Sequence, residues 1–249
     1  MVRHEMTTLL NAEGLRIDGR KADELRSLKI EVGLIKNADG SAYIEMGKNK
    51  IMAAVYGPKE VHPKHLTLSE RALLRCRYHM SAFSTDTRKN PAPSRREHEI
   101  SKVLRDALLP AVIVEDYPRT AIDVYVEILQ SDGGSRCAGL TAAAVALADA
   151  GIGMRDLVVG CAAGKINDQI VLDLNDTEDK EGSADLPIGL MPTLKEVTLL
   201  QLDGMLNAEE FQRAFDLAVE GCLKVYKVQR DALIKKYFGK EEVNQEVEQ

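Results

Sequence analysis

The stretch Gln130-Ser131-Asp132-Gly133-Gly134-Ser135-Arg136 limits the fold more than any other segment, because it joins a strand-like run to an alanine-rich helix through two adjacent glycines. Ahead of it, Ile122-Asp123-Val124-Tyr125-Val126-Glu127-Ile128 alternates apolar with polar residues, the pattern of a half-buried strand. Behind it, residues 138–150 read as a buried helix. The loop therefore opens a helix. N–H groups at a helix start have no intrahelical partner and sit at the positive end of the dipole, so an anion placed there gains several hydrogen bonds at once. Gly133 and Gly134 permit close approach, Ser135 adds a hydroxyl and Arg136 a charged fork. The same glycines would also serve a tight turn with no ligand.

Two further constellations bear on that choice. Ser94-Arg95-Arg96-Glu97 follows the proline-broken loop 89–93 and precedes Ile100, Val103, Leu104, Ala107, Leu108 and Ala111 at helical spacing. Ser94 with Glu97 makes a capping box. Arg95 and Arg96 would then stand in a first turn, where positive charge opposes the dipole, and an anion would relieve the conflict. Arginine can grip a phosphodiester with two parallel hydrogen bonds. On a solvated surface the same arginines would pair with Glu97 and Glu99. The second constellation is acidic. Asp173, Asp176, Glu178, Asp179, Glu181 and Asp185 crowd a loop after the strand-like Ile170-Val171-Leu172. Such carboxylates can hold a divalent cation or supply a general acid, or form a solvated connection that does neither.

Together these residues resemble the RNase PH family of phosphorolytic exoribonucleases, and within it the catalytic RNase PH-like subunit of the archaeal exosome. The pattern runs from Gly14-Leu15-Arg16-Ile17-Asp18-Gly19-Arg20 through Asn37-Ala38-Asp39-Gly40-Ser41-Ala42, Tyr56-Gly57-Pro58-Lys59-Glu60, Asn90-Pro91-Ala92-Pro93-Ser94-Arg95-Arg96, Pro118-Arg119-Thr120-Ala121-Ile122-Asp123-Val124 and Ala148-Asp149-Ala150-Gly151-Ile152. The resemblance implies an α+β, RNase PH-like fold (ribosomal protein S5 domain 2-like) of two packed βαβα-type halves. Residues 1–155 would carry the RNA path and the phosphate-binding residues. Residues 156–238 would carry the catalytic acidic loop and a long C-terminal helix, and 239–249 a polar tail expected to be disordered.

The resemblance also assigns roles. Arg95, Arg96, Gly134, Ser135 and Arg136 form the pocket for inorganic phosphate and the terminal phosphodiester. Asp179 and Asp185 are the catalytic acidic pair, with Asp185 the proton donor or metal ligand at the departing 3′-oxygen and Asp179 orienting it. Mg²⁺ or Mn²⁺ is the implied ion, on the same two aspartates. In a related branch a lysine follows the second aspartate by two positions and helps hold the metal; here Pro187 stands there, which weakens the metal assignment. Lys64, His65, Arg71, Arg75 and Arg77 fall where relatives build the constriction that admits single-stranded RNA, with Lys64 foremost.

The implied activity is processive 3′→5′ phosphorolysis of single-stranded RNA, in which inorganic phosphate is the co-substrate and nucleoside 5′-diphosphates are released, reversible to untemplated 3′ tailing. The implied partners are a related non-catalytic RNase PH-like subunit, alternating with this chain in a hexameric ring of three heterodimers, and RNA-binding cap proteins. Two alternatives remain: a homohexameric RNase PH that trims tRNA 3′ ends, and a non-catalytic ring subunit that only threads RNA. Retention of Asp179, Asp185, Arg95, Arg96 and Arg136 speaks against the latter.

Composition bounds this reading. The 249 residues carry a net charge of −6, so RNA binding must use local basic patches and not bulk attraction. Aromatic residues are 4% of the chain with no tryptophan, so base stacking is not expected to dominate. Cys76, Cys137, Cys161 and Cys222 lie far apart and read as reduced, mostly buried thiols. No apolar run approaches the roughly 20 residues of a membrane span, and no signal-peptide pattern stands at the N-terminus, which points to the cytoplasm.

The expected layout is strands near 27–35, 41–46 and 50–56, a helix 95–115, a strand 121–129 and a helix 136–150. Then come a strand pair 157–164 and 169–174 turning at Asn167-Asp168, the acidic loop, strands near 185–191 and 196–203, and a helix 208–237 capped by Asn207 and Glu210. Arg71, Arg75 and Arg77 are expected on a further strand.

Overall fold

A computed structural model of the chain describes Leu9 and residues 15–239. Gly14 and, Gly239 apart, the polar tail lie outside the described residues.

The first sheet contains β1 (Leu28–Val32), β2 (Gly40–Met46), β3 (Asn49–Glu60), β4 (Leu73–Met80) and β5 (Thr120–Gln130), in the order β1-β2-β3-β5-β4. All neighbours are antiparallel except β4 and β5, which run parallel. The alternation read in residues 122–128 holds for Ile122, Val124, Val126 and Ile128, which are buried, and for Tyr125 and Glu127, which are half-buried, but Asp123 is buried too, held by Arg75 and Lys59. The connection into β5 holds α1 (Arg95–Leu108), whose capping box forms as expected from Ser94 and Glu97. The helix stops well short of residue 115. Pro110 lacks the N–H that would continue the ladder, so α1 ends ahead of it, with Leu109 as a C-cap still in helical geometry.

The second sheet orders β10 (Asp203–Gly204), β8 (Ala184–Met191), β6 (Val159–Ile166) and β7 (Gln169–Leu172), with β9 (Glu196–Leu200) also paired to β8. The strand expected over 196–203 is thus two short strands. The segment expected as an acidic loop contains a short helix, α3 (Asp176–Glu181), capped by Asn175 and Glu178. The C-terminal helix α4 (Ala208–Phe238) starts from the expected box of Asn207 and Glu210.

Between the sheets runs α2 (Ser135–Asp149), buried almost all round. An alanine-rich helix suits this place because both sheets approach it closely. A Cβ on Gly160 of β6 would come within 2.6 Å of the Cys137 carbonyl oxygen, and the Gly160 N–H donates to Thr141 Oγ1 at 3.0 Å. Sheet one packs on the opposite flank, with its β2 and β3 core residues in the same apolar cluster as Ala142–Leu147. All four cysteines are unpaired, three of them buried. Among the described residues no helix is long and apolar enough to cross a membrane.

A buried ionic network ties the N-terminal segment to both sheets. Arg26, 6% exposed, grips Asp173, 3% exposed, through Nε–H to Oδ2 at 2.9 Å and Nη2–H to Oδ1 at 2.6 Å. The same guanidinium donates to the carbonyls of Asp132 and Gly133. Arg16 pairs with the fully buried Glu178 and donates to the carbonyls of Leu172 and Asp173. Removing one member of such a pair leaves the other charged and unpartnered away from water. Asp173→Ala is therefore expected to lower stability by about 3–5 kcal/mol, read as a lower urea midpoint, whereas Arg26→Met combined with Asp173→Leu recovers much of the loss. Equal destabilisation by the single and the double variant would contradict this view of the pair.

Candidate phosphate-binding active site

Three chain segments converge on a cavity of about 300 Å³. The first is the glycine loop and the start of α2. Gly133 and Gly134 hold φ of 71° and 65°, left-handed values that glycine adopts without strain, and Gly134 is the N-cap of α2. A side chain at Gly133 would also collide with Asn175 and Asp176, its Cβ lying 2.5 Å from the Asn175 carbonyl carbon. The bare glycine thus lets the loop lie directly on the acidic segment. Asn49 fixes it from behind, donating to the Gly133 carbonyl at 2.6 Å and accepting from the Asp132 N–H at 2.6 Å. Ser135 Oγ hydrogen-bonds Tyr78 Oη at 2.8 Å. The Arg136 guanidinium donates to Gln201 Oε1, a neutral partner that orients the fork, and its charge acts on Asp185 and Asp179.

The second segment is the N-terminus of α1. Arg96 lines the cavity; Arg95 is exposed and does not. The pairing of these arginines with Glu97 that a solvated surface would allow does not occur. Glu97 is buried and engaged elsewhere, accepting from the N–H groups of Ser94 at 2.5 Å and Met80 at 2.8 Å. Among the described residues, no carboxylate forms an ion pair with Arg96.

The third segment is acidic, and the structure divides its residues. Asp173 and Glu178 are consumed by the buried arginines. Asp176, Asp179 and Asp185 line the cavity. Asp179 sits in α3, and Asp185 near the start of β8, opposite Gly164 of β6. Loss of hydration, reinforced by the like charges of Asp179 and Asp203, pushes the Asp185 carboxyl up to about 7 against the pull of Arg136 and Arg96. Asp179 is also raised, by partial dehydration of its carboxyl, although the residue as a whole is exposed. An acid poised near neutrality beside two arginines can give a proton to a leaving oxygen. No group of three or more His, Cys, Asp or Glu side chains among the described residues is arranged to hold a metal by itself. Two carboxylates nonetheless suit a Mg²⁺ ion whose remaining ligands are water and substrate phosphate oxygens.

Among the polar residues that line the cavity, Thr85, Thr87, Lys89 and Lys180 receive no role in the sequence reading. Gln201, behind Arg136, escaped it as well. The threonines and Lys89 lie on an irregular loop with no periodicity to mark them. The residues expected on the RNA path stand elsewhere, and none of them lines this cavity. Lys64 is exposed in a single turn, 3.0 Å from Glu60. His65, Arg71 and Arg77 are not buried, the latter on β4. Arg75 is bound by Asp123, opposite it in the β4–β5 register, at 2.5 and 2.8 Å, so its charge is largely matched within the chain.

Comparison with known proteins agrees with this geometry. Residues 24–153 match the first domain of the RNase PH, or 3′ exoribonuclease, family, and residues 156–221 its second domain. The chain is 58% identical over 231 residues to the exosome complex component Rrp41 of Cenarchaeum symbiosum, covering 93% of this chain and 95% of the relative. It is also 58% identical over 248 residues to that of Thermococcus kodakarensis, covering 100% and 98%. Two solved structures share the fold at 22% identity: rice Rrp46 with a TM-score of 0.79, covering 88% of this chain and 99% of that one, and a chain of the Archaeoglobus fulgidus exosome with RNA bound to the active site, with a TM-score of 0.74, covering 86% and 92%. An anion-ready helix start and two arginines that form no ion pair among the described residues share one cavity with an aspartic acid raised toward neutrality, and the chain that builds it belongs to the 3′ exoribonuclease (RNase PH) family.

Proposed function

We propose that this chain is the catalytic subunit of an archaeal exosome-type complex that degrades single-stranded RNA from its 3′ end by phosphorolysis. The observation that carries the reading is the shared cavity, in which Arg96, Arg136 and the start of α2 face Asp179 and Asp185. Inorganic phosphate is already an anion at neutral pH, and what opposes its attack is repulsion by the phosphodiester it must approach. Fixed positive charge and unpaired N–H groups offset that repulsion without reorganising, the kind of stabilisation that usually contributes most to catalysis. An oxygen of the bound phosphate attacks the phosphorus of the last diester. The bond to the 3′-oxygen of the preceding nucleotide breaks, that oxygen takes the proton of Asp185, and the terminal nucleotide leaves as a 5′-diphosphate. A phosphoanhydride replaces a diester, so the step runs close to equilibrium and excess nucleoside diphosphate drives untemplated tailing.

Arg95, exposed beside the cavity, is assigned to the RNA side, with Lys64, His65, Arg71 and Arg77 farther along the path; Arg75 contributes mainly through Asp123. Alternatively, with Asp185 ionised, Asp179 and Asp185 would together hold Mg²⁺ or Mn²⁺, and the ion would neutralise charge on the reacting phosphates in place of the proton donor. The division into halves at about residue 155 follows the two family domains. The names of the relatives favour an assembly with other exosome subunits, here a hexameric ring alternating with a non-catalytic RNase PH-like partner beneath RNA-binding cap proteins, in the cytoplasm.

The direct test supplies the chain and its partner with 3′-labelled single-stranded RNA. Nucleoside diphosphate is expected only when phosphate is present, and Asp185→Asn should lower turnover by about 10²–10⁴-fold with assembly intact. Monophosphate formed without phosphate, or a variant that keeps most of its rate, would refute the reading. The raised Asp185 gives a pH dependence as well. A donor must be protonated, so kcat/KM should fall as pH rises through about 7. Asp179→Asn removes a like charge and lowers the Asp185 pKa, so the fall should begin at lower pH. An alkaline limb that stays in place would show that Asp179 does not act on Asp185.

A further inference from the structure

The two helix starts that face the phosphate pocket are joined through one strand, β4. Its Met80 N–H donates to Glu97 Oε1 at 2.8 Å, and its Tyr78 N–H donates to Ser101 Oγ at 2.9 Å, whose own hydroxyl donates to the Glu97 carbonyl at 2.6 Å. The strand is thereby riveted to the first turns of α1, where Arg96 stands. A second tie runs from the Tyr78 side chain into α2, its Oη lying 2.8 Å from Ser135 Oγ. The ring reaches that far because Gly139, one turn along α2, presents no side chain; a Cβ there would lie 3.8 Å from the Tyr78 ring and 3.2 Å from Val126. Tyr78 is 2% exposed and stands behind the pocket wall, whereas Ser135 is part of that wall.

Which of the two hydroxyls donates decides what Ser135 can do. Among the described residues, Ser135 Oγ is the one hydrogen-bond partner of the Tyr78 hydroxyl. A phenolic proton held away from water has to be given to an acceptor, so Tyr78 donates and Ser135 accepts. Burial pushes the phenol above its ordinary pKa, against the pull of Ser135, Arg96 and Arg136, so the proton stays on Tyr78 throughout the neutral range. The proton of Ser135 itself is then left over. A serine inside a helix commonly returns it to the carbonyl four residues back, but Ser135 is the first residue of α2 and has no carbonyl of that helix behind it.

We propose that Tyr78 is a positioning residue for the phosphate nucleophile: it engages Ser135 Oγ as an acceptor and so turns the serine hydroxyl toward the pocket as a donor to the bound anion. The proposal rests on the phosphorolytic reading. Inorganic phosphate offers chiefly acceptor oxygens, and a serine free to rotate is as ready to accept as to donate. Fixing the hydroxyl as a donor removes the wrong orientation before the anion arrives, and a donor that itself accepts a hydrogen bond is strengthened by it. Because the same strand holds Glu97, the arginine at the head of α1 and the hydroxyl at the head of α2 are kept at one spacing across the anion.

The test measures initial rates of the assembled complex over a range of phosphate at saturating RNA, and over a range of RNA at saturating phosphate. Tyr78→Phe keeps the ring and removes only the donor. The KM for phosphate is expected to rise about tenfold while the KM for RNA is unchanged. Ser135→Ala should raise the KM for phosphate as well, and adding Tyr78→Phe to it should have no further effect, because the phenol acts only through the serine. The proposal is overturned if Tyr78→Phe leaves the phosphate KM unaltered, raises both KM values alike, multiplies the effect of Ser135→Ala, or prevents assembly, which would make the phenol a structural group. Failure of the phosphorolytic reading looks different: the rate of the unaltered complex would then not depend on phosphate at all.

Discussion

Arg26 reaches three parts of the chain at once: it pairs with Asp173 at the end of β7, donates to the carbonyls of Asp132 and Gly133 in the glycine loop, and is itself anchored just ahead of β1. The two sides of the active site come from different sheets, the phosphate loop following β5 of the first and the acidic helix following β7 of the second. A buried guanidinium must find partners for its charge and its donors, and the carboxylate and carbonyls that satisfy it are the ones flanking the cavity. Arg16 repeats the device one step further on, holding Glu178 of α3 and with it the position of Asp179. The bare Cα of Gly133 then lets loop and helix touch.

Charges inside the cavity are deliberately unbalanced. Three nearby acids are used for something else: Glu97 caps α1, Glu178 holds Arg16, and Asp173 holds Arg26, while Asp179 and Asp185 act on Arg96 and Arg136 without an ion-pair contact. Arg136 leans on a neutral amide. Dehydration, reinforced by the crowding of the carboxylates that face the cavity, raises the Asp185 carboxyl to about 7. In the proposed mechanism one set of distances supplies both attraction for the anionic nucleophile and an acid for the leaving group. A hydrolase would need a base or an ion to activate water; here the nucleophile arrives charged and has only to be held.

Much of this was legible in the chain. The glycine loop opening α2, the capping box that sets Arg96 at the head of α1, and the buried alanine helix all follow from local rules, and local rules hold where neighbours in sequence decide the conformation. The pairing of Asp179 with Asp185 came from the family resemblance. The acidic stretch itself was misread as one loop, since nothing local distinguishes Asp173 and Glu178, spent on buried arginines, from Asp179 and Asp185, which face the cavity; their partners lie more than a hundred residues away. The partner of Arg75 was hidden for a related reason, because only the register of β4 with β5 sets Asp123 opposite it. Thr85, Thr87 and Lys89 escaped because an irregular loop carries no period to read.

The most direct measurement is a crystal structure of the assembled complex grown with phosphate. The anion should sit at the start of α2, contacted by Arg96, Ser135 Oγ and the Arg136 fork, on the same face as Asp185. A phosphate bound elsewhere, or a cavity left empty at saturating phosphate with Arg136 still resting on Gln201, would contradict the central claim that these arginines and this helix start hold the nucleophile.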